Sequence, residues 1–135
     1  MIIADANLLA YLVLPGERTE LAEEVLAKDP AWAVPPLWRS ELRSVLSQYV
    51  RRGALTVSQA GAAFDRAELV IAGRQGEVDS HLVFELASRS RRSSYDCEYV
   101  ALATELDVQL VTTHGPVLKA FQRVAVSPER FLNDG

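Results

Sequence analysis

Four short apolar runs, each followed by a stretch with helical periodicity, constrain this chain more than any other feature. The runs are MIIA at 1–4, AWAV at 31–34, VQLVT at 108–112 and RVAV at 123–126. Short continuous apolar runs suit strands buried on both faces of a parallel sheet, because a strand with one wet face alternates apolar and polar residues. Between them lie helical stretches at 6–13, 17–28, about 37–52, 56–73, 82–91 and 94–106. A short helix runs from Gly115-Pro116 to about Phe121, and a terminal helical turn covers Pro128 to Leu132. Pro15-Gly16 stops the first helix, Pro35-Pro36 opens the third and Gly53 ends it. The polar stretch 74–81 fits a loop or a short strand. Strands alternating with helices imply parallel β-α units. The expected fold is therefore α/β, with a central parallel sheet of about four to five short strands flanked by helices.

At 135 residues the chain can bury one hydrophobic core, and no repeat, low-complexity segment or linker divides it, so residues 1–135 read as a single domain. No apolar run approaches a membrane span, and the N-terminus lacks the basic region and long apolar stretch of a signal peptide. The single Cys97 excludes an internal disulfide framework, and cytoplasmic localisation is the expectation. A net charge of −4 and a pI near 5.2 leave no general basic footprint for nucleic acid. The basic residues are unevenly placed, however. Arg51-Arg52 and the group Arg89, Arg91 and Arg92 fit either solvated helix ends or a local phosphate-binding patch.

Three acids stand at positions where such a fold gathers chemistry. Asp5 follows the first strand, at the sheet edge where open parallel sheets bind ligands. Glu41 borders the apolar stripe Leu42, Val45, Leu46 and Tyr49 of its helix, with Leu37 and Val45 four residues to either side. Asp96 borders the face formed by Tyr95, Tyr99, Leu102, Ala103 and Leu106, with Glu98 and Glu105 on the opposite, polar side. Each acid also has an ordinary structural reading. Asp5 could cap the helix that follows, Asp96 could complement a helix dipole, and Glu41 could be a partly exposed helix acid. Together they suggest a divalent cation site, because carboxylates brought together repel one another unless a cation joins them. Cys97 reads as a small buried side chain, His81 as solvent-facing, and Trp32 and Trp38 as core or partner-surface residues. No glycine-rich phosphate loop and no paired Cys/His zinc spacing is present.

The chain resembles the PIN-domain ribonucleases over essentially its whole length, and specifically the toxins of VapBC-type toxin–antitoxin pairs. MIIADANLLAYLV resembles the family's opening strand, with Asp5 as first acid and Asn7 following. RSELRSVLSQYVRRG resembles the segment that carries the family's glutamate, here Glu41. SSYDCEYVALATEL, with Asp96 in a Ser/Thr-x-Asp opening before a Tyr-x-ALA helix, is the most specific match. VQLVTTHGPVLKAF resembles the next strand and its Thr-x-acid loop. The chain departs from the family pattern in two places. Thr112, Thr113 and His114 occupy the loop where a fourth acid is usual, and Arg43 or Ser44 replaces a common Asn.

The resemblance implies a metal-dependent endoribonuclease in which Asp5, Asp96 and Glu41 bind one or two Mg2+ or Mn2+ ions. Thr112 or Thr113 would orient a metal-bound water, and His114 could be a ligand, a proton donor or a surface loop residue. Arg43 or the arginines at 89–92 would hold phosphates outside the catalytic centre. The family further implies a cognate antitoxin, an RNA substrate and a homodimer, with no membrane association. The alternative is a PIN-fold protein-binding module with a degenerate metal site. A phospho-acceptor receiver domain fits poorly, because Lys119 falls inside the short helix after Gly115-Pro116 instead of directly after a late strand.

Overall fold

A computed structural model describes residues 1–134. Its strands are β1 (Ile2–Ala4), β2 (Trp32–Ala33), β3 (Leu110–Val111) and β4 (Ala125–Val126). The helices are α1 (Ala6–Val13), α2 (Thr19–Lys28), α3 (Trp38–Arg51), α4 (Val57–Ile71), α5 (Ser80–Ser90), α6 (Ser94–Leu106), α7 (Gly115–Ala120) and α8 (Pro128–Asn133). All strand pairs are parallel and the strand order is β2-β1-β3-β4. The order reverses at β1: the chain first steps to β2 on one side, then returns to β3 on the other. The carboxyl ends of β1 and β3 therefore flank the crevice where open α/β sheets bind ligands.

Successive strand residues supply opposite cores, as the pleat requires. Ile2, Ala4, Trp32, Val34, Val111 and Val126 join the core under α1, α2, α3, α4 and α8. Ile3, Ala33, Leu110 and Ala125 join the core under α5, α6 and α7. With both sheet faces covered, the strands are apolar throughout, which is why their sequence showed runs without alternation. Trp32 and Trp38 are fully buried, and Trp38 stacks on Phe64 with ring centroids 5.4 Å apart. Cys97 is buried and His81 is exposed.

Local chemistry sets the helix limits. Thr56 and Gln59 form a reciprocal capping box at the start of α4, with bonds of 3.1 and 2.9 Å. Asp79 caps α5 by accepting from the His81 N–H, which starts that helix at Ser80, two residues before the 82 expected from periodicity. Arg91 ends α5 in the left-handed region at φ 61°. Ser93 then caps α6. The stretch 74–81, read as a loop or a short strand, is a loop as far as the start of α5, apart from a single parallel bridge between Val34 and Gln75. Beyond that bridge the chain leaves the sheet edge. Among the described residues no helix is long and apolar enough to cross a membrane.

The largest difference from expectation lies in α6. Tyr95 and Leu106, assigned to its apolar face, are 61% and 46% exposed. The helix instead buries Cys97, Tyr99, Val100, Ala101, Leu102 and Ala103, because it is wedged between the sheet and α5. A helix covered on two sides has a wide buried arc, and a one-stripe reading places that arc imprecisely. The same shift leaves Glu98 half-buried instead of on an open polar face.

Candidate active site

The crevice at the carboxyl edge of β1 and β3 holds a cleft of about 320 Å³. Asp5, Glu41, Asp96, Thr112 and His114 all line it, together with Asn7, Ser44 and Tyr99. Five side chains from four segments far apart in sequence thus meet in one place.

Asp5 leaves β1 in an extended conformation and becomes the N-cap of α1. Its Oδ1 accepts the Leu8 N–H at 2.8 Å, and its Oδ2 accepts the Thr112 hydroxyl at 2.5 Å. The cap and the cleft are thus two uses of one carboxylate. Thr112, directly after β3, is only 2% exposed, and its Oγ1 also accepts the His114 N–H at 3.0 Å. This chain of bonds ties the loop after β3 to the end of β1, across the crevice. Burial pushes the Asp5 pKa above its ordinary value, against the opposing pull of these hydrogen bonds and of His114.

Glu41 projects from the first turn of α3, where Tyr99 of α6 donates its phenol to Oε1 at 2.5 Å. Burial raises the Glu41 pKa; the Tyr99 bond opposes this, and the charges of Asp5, Asp96 and Glu98 add to it. Tyr99 is 5% exposed, and burial followed by the nearby Glu41 charge drives its own pKa far upward. It therefore remains a phenol that can only donate to the carboxylate. The Glu98 pKa is raised by burial and then by Glu77.

Asp96 lies in the first turn of α6, where its N–H is received by Ser93 Oγ at 3.1 Å. Its Oδ2 is 3.5 Å from Arg92 Nε and 3.6 Å from His114 Nε2. Asp96 thus has an arginine beside it, a neighbour that Asp5 and Glu41 lack. His114 is half-exposed at the start of α7.

The phosphate-holding candidates divide. Arg92 reaches the cleft through Asp96. Arg43 instead lies over the Phe64 ring, 5.5 Å from its centroid, beside a separate depression between α3 and α4. Arg89 lines a different groove. Of the two residues at the family's usual Asn position, Ser44 is the one in the cleft. Reading along the sequence did not single out Tyr99 as a site residue. Its signal was its place three residues after Asp96, since helix neighbours at that spacing share a face.

Among the described residues no three Asp, Glu, His or Cys side chains converge into a ready ligand cage. The donor chemistry nevertheless suits a hard cation. The cleft is lined by three carboxylates and the hydroxyls of Ser44, Tyr99 and Thr112, with the Asn7 amide and the His114 imidazole beside them and no thiol. The like charges around Glu41 disfavour its ionised form. Mg2+ keeps several waters and uses one or two carboxylates, so it needs no closed protein cage.

Fold and cleft together define a parallel α/β domain with an acidic crevice at the reversal of strand order. The model of the PIN domain matches residues 2–125, and the chain belongs to the PIN-domain family. It is 28% identical over 125 residues to ribonuclease VapC3 of Pyrobaculum aerophilum, an alignment covering 89% of this chain and 94% of that protein. The crystal structure of PAE2754 from Pyrobaculum aerophilum superposes with a TM-score of 0.74 at 20% identity, covering 98% of this chain and 93% of that one. A toxin–antitoxin complex from Klebsiella pneumoniae contains a chain with a TM-score of 0.66 at 17% identity, covering 95% of this chain and 98% of that one.

Proposed function

We propose that the protein is a metal-dependent endoribonuclease and the toxin of a type II toxin–antitoxin pair. The observation that carries this reading is the convergence of Asp5, Glu41 and Asp96 on one cleft at the strand-order reversal of a PIN domain. The similarity to a protein named ribonuclease VapC3 supports the substrate class. The fold shared with a chain of a toxin–antitoxin complex supports a cognate antitoxin as partner.

Asp5, Asp96 and Glu41 are the residues that would hold Mg2+ or Mn2+. When bound, such a cation lowers the pKa of a coordinated water and polarises the scissile phosphate. The remaining work belongs to the chain itself. Thr112 fixes the orientation of Asp5, and Tyr99 fixes that of Glu41. Arg92 offsets the charge of Asp96, and Arg92 Nε and His114 Nε2, 3.5 and 3.6 Å from Asp96 Oδ2, would meet the phosphodiester at this side of the cleft. Hydrolysis through an activated water needs no covalent enzyme intermediate.

The test is cleavage of defined RNAs with Mg2+, Mn2+ or a chelator, comparing the wild type with Asp5→Asn. Cleavage should need the cation and be lost in the variant; cutting that persists in chelator rejects the carboxylate mechanism. One observation favours a second reading, a binding module with a degenerate site: His114 stands where the family resemblance expects a fourth acid. An inactive wild type that gains cleavage on His114→Asp would establish it. Light scattering tests the homodimer that the family implies.

A further inference from the structure

The basic side chains of this acidic protein are mostly engaged. Arg18, Arg39, Arg92 and Arg130 pair with carboxylates. Lys28, Arg66 and Arg74 donate to backbone carbonyls, and Arg43 and Arg52 lie over aromatic rings. Arg51, Arg89, Arg91, Lys119 and Arg123 do none of these among the described residues. Three of them, Arg89, Lys119 and Arg123, line a single groove of about 740 Å³ between α5, α6 and α7. All three are exposed. Glu85 is the one acid that shares the groove, so its balance is positive in a chain of net charge −4.

The groove and the acidic cleft share two walls. Asp96 and Tyr99 of α6 and Val117 of α7 line the cleft. Val100 and Thr104 of α6 and Lys119 and Ala120 of α7 line the groove. Arg92 stands where α5 passes into α6, three residues beyond Arg89 and beside Asp96. Its Nε is buried and makes no hydrogen bond, although Asp96 Oδ2 is 3.5 Å away. Cations therefore continue from the groove, by way of Arg89 and Arg92, to the rim of the acidic cleft. Unpaired cations in a concave surface lower the energy of a chain of phosphates, whereas scattered cations on a convex surface do so far less.

We propose that the groove between α5, α6 and α7 binds the phosphate backbone of a single-stranded RNA whose continuation enters the acidic cleft. Arg89, Lys119 and Arg123 hold the phosphates. The identity of the strand rests on the nuclease reading; the groove's preference for a polyanion does not. The arrangement also reconciles an acidic protein with an RNA substrate. The acids that would repel RNA are confined to the cleft, and the approach to them is cationic.

The experiment measures binding of a short single-stranded RNA to the Asp5→Asn protein by fluorescence anisotropy across a salt series. It is repeated after Arg89→Gln, Lys119→Gln and Arg123→Gln are added together. The triple change should weaken binding at least tenfold and make the slope of log affinity against log salt shallower by about two, as expected when three phosphates of a single strand are no longer neutralised. Arg51→Gln, also exposed and unengaged but outside the groove, should change neither, and circular dichroism checks that every variant is folded. An unchanged affinity and slope in the triple variant overturns the proposal, as does failure of the parent to bind RNA. An Asp/Glu-rich peptide that binds the groove as tightly as RNA of equal length overturns the assignment to phosphates in favour of a protein partner. Metal-dependent cleavage by the wild type that survives the triple change unaltered removes the groove and leaves the nuclease reading standing. Groove-dependent RNA binding without any cleavage does the reverse.

Discussion

The two ends of the sheet treat carboxylates in opposite ways. At the amino end, Asp29 precedes β2 and receives the N-terminal ammonium of Met1 at 2.8 Å and the Ala31 N–H at 3.0 Å. Its charge is matched locally. At the carboxyl end, Asp5 and Glu41 receive hydrogen bonds from neutral groups, and Glu41 also feels the charges of Asp5, Asp96 and Glu98; of the three cleft acids only Asp96 has an arginine partner. Nothing about folding requires carboxylates to gather there, since each could cap or solvate its own helix. On the reading proposed above, a bound cation would supply the charge that Asp5 and Glu41 lack.

Four substitutions test the contrast. The largest effect is expected for Asp5→Asn, which preserves helix capping but removes a carboxylate from the cleft; RNA cleavage should fall at least ~100-fold in a fixed-time assay with Mg2+ or Mn2+. Next is Thr112→Val. It leaves Asp5 Oδ2 without its donor and the His114 N–H without its acceptor in a partly buried place, so chemical denaturation should show a loss of about 1–3 kcal/mol. The remaining two have opposite signs. Glu41→Gln keeps an acceptor for Tyr99 and removes a repelled charge. It should raise metal-free stability at pH 7 by about 0.5 kcal/mol, small because this side chain is partly exposed, while lowering cleavage. Asp29→Asn should lower stability by a few tenths of a kcal/mol, the usual worth of an exposed pair, and leave cleavage unchanged. If both changes moved stability the same way, the two ends would not differ as described.

The same contrast has a pH signature. Burial and like charge raise the folded-state pKa of Glu41 from 4.5, and burial raises that of Asp5 from 3.8. The folded protein therefore binds these protons more tightly than the unfolded chain. Their stabilising contribution is full below the unfolded values and is lost as pH rises through the raised folded values. Metal-free protein should lose stability over that interval, as followed by thermal melts, and Glu41→Gln should flatten the decline. Added divalent cation should restore the loss at neutral pH if the cleft binds it.

Much of this was legible in the chain. Apolar runs without alternation identified a parallel sheet covered on both faces, and the positions of α1 and α6 followed from periodicity and breakers. Asp5, Glu41 and Asp96 were recognisable because each stood at a strand end or on the flank of an apolar stripe. Tyr99 was harder to read: an aromatic residue on a helix looks like core, and it is core, yet its hydroxyl reaches a carboxylate 58 positions away in the chain. The burial of α6 on two sides was equally hidden, because a stripe read from one helix cannot register two neighbours.

Sequence alone determined what depends on neighbours within a few residues: the strand and helix alternation, the caps, and which acids border an apolar face. Only the tertiary structure decided what depends on strand order. Placing β3 beside β1 brings Thr112 to Asp5, and packing α6 near α3 brings Tyr99 to Glu41. It also decided which cations remain unpaired, and that Arg89, Lys119 and Arg123 share one groove. The physical reason is that helix and strand preferences act over short stretches of chain, while pairing and repulsion between charges depend on distances in space that only the completed fold sets.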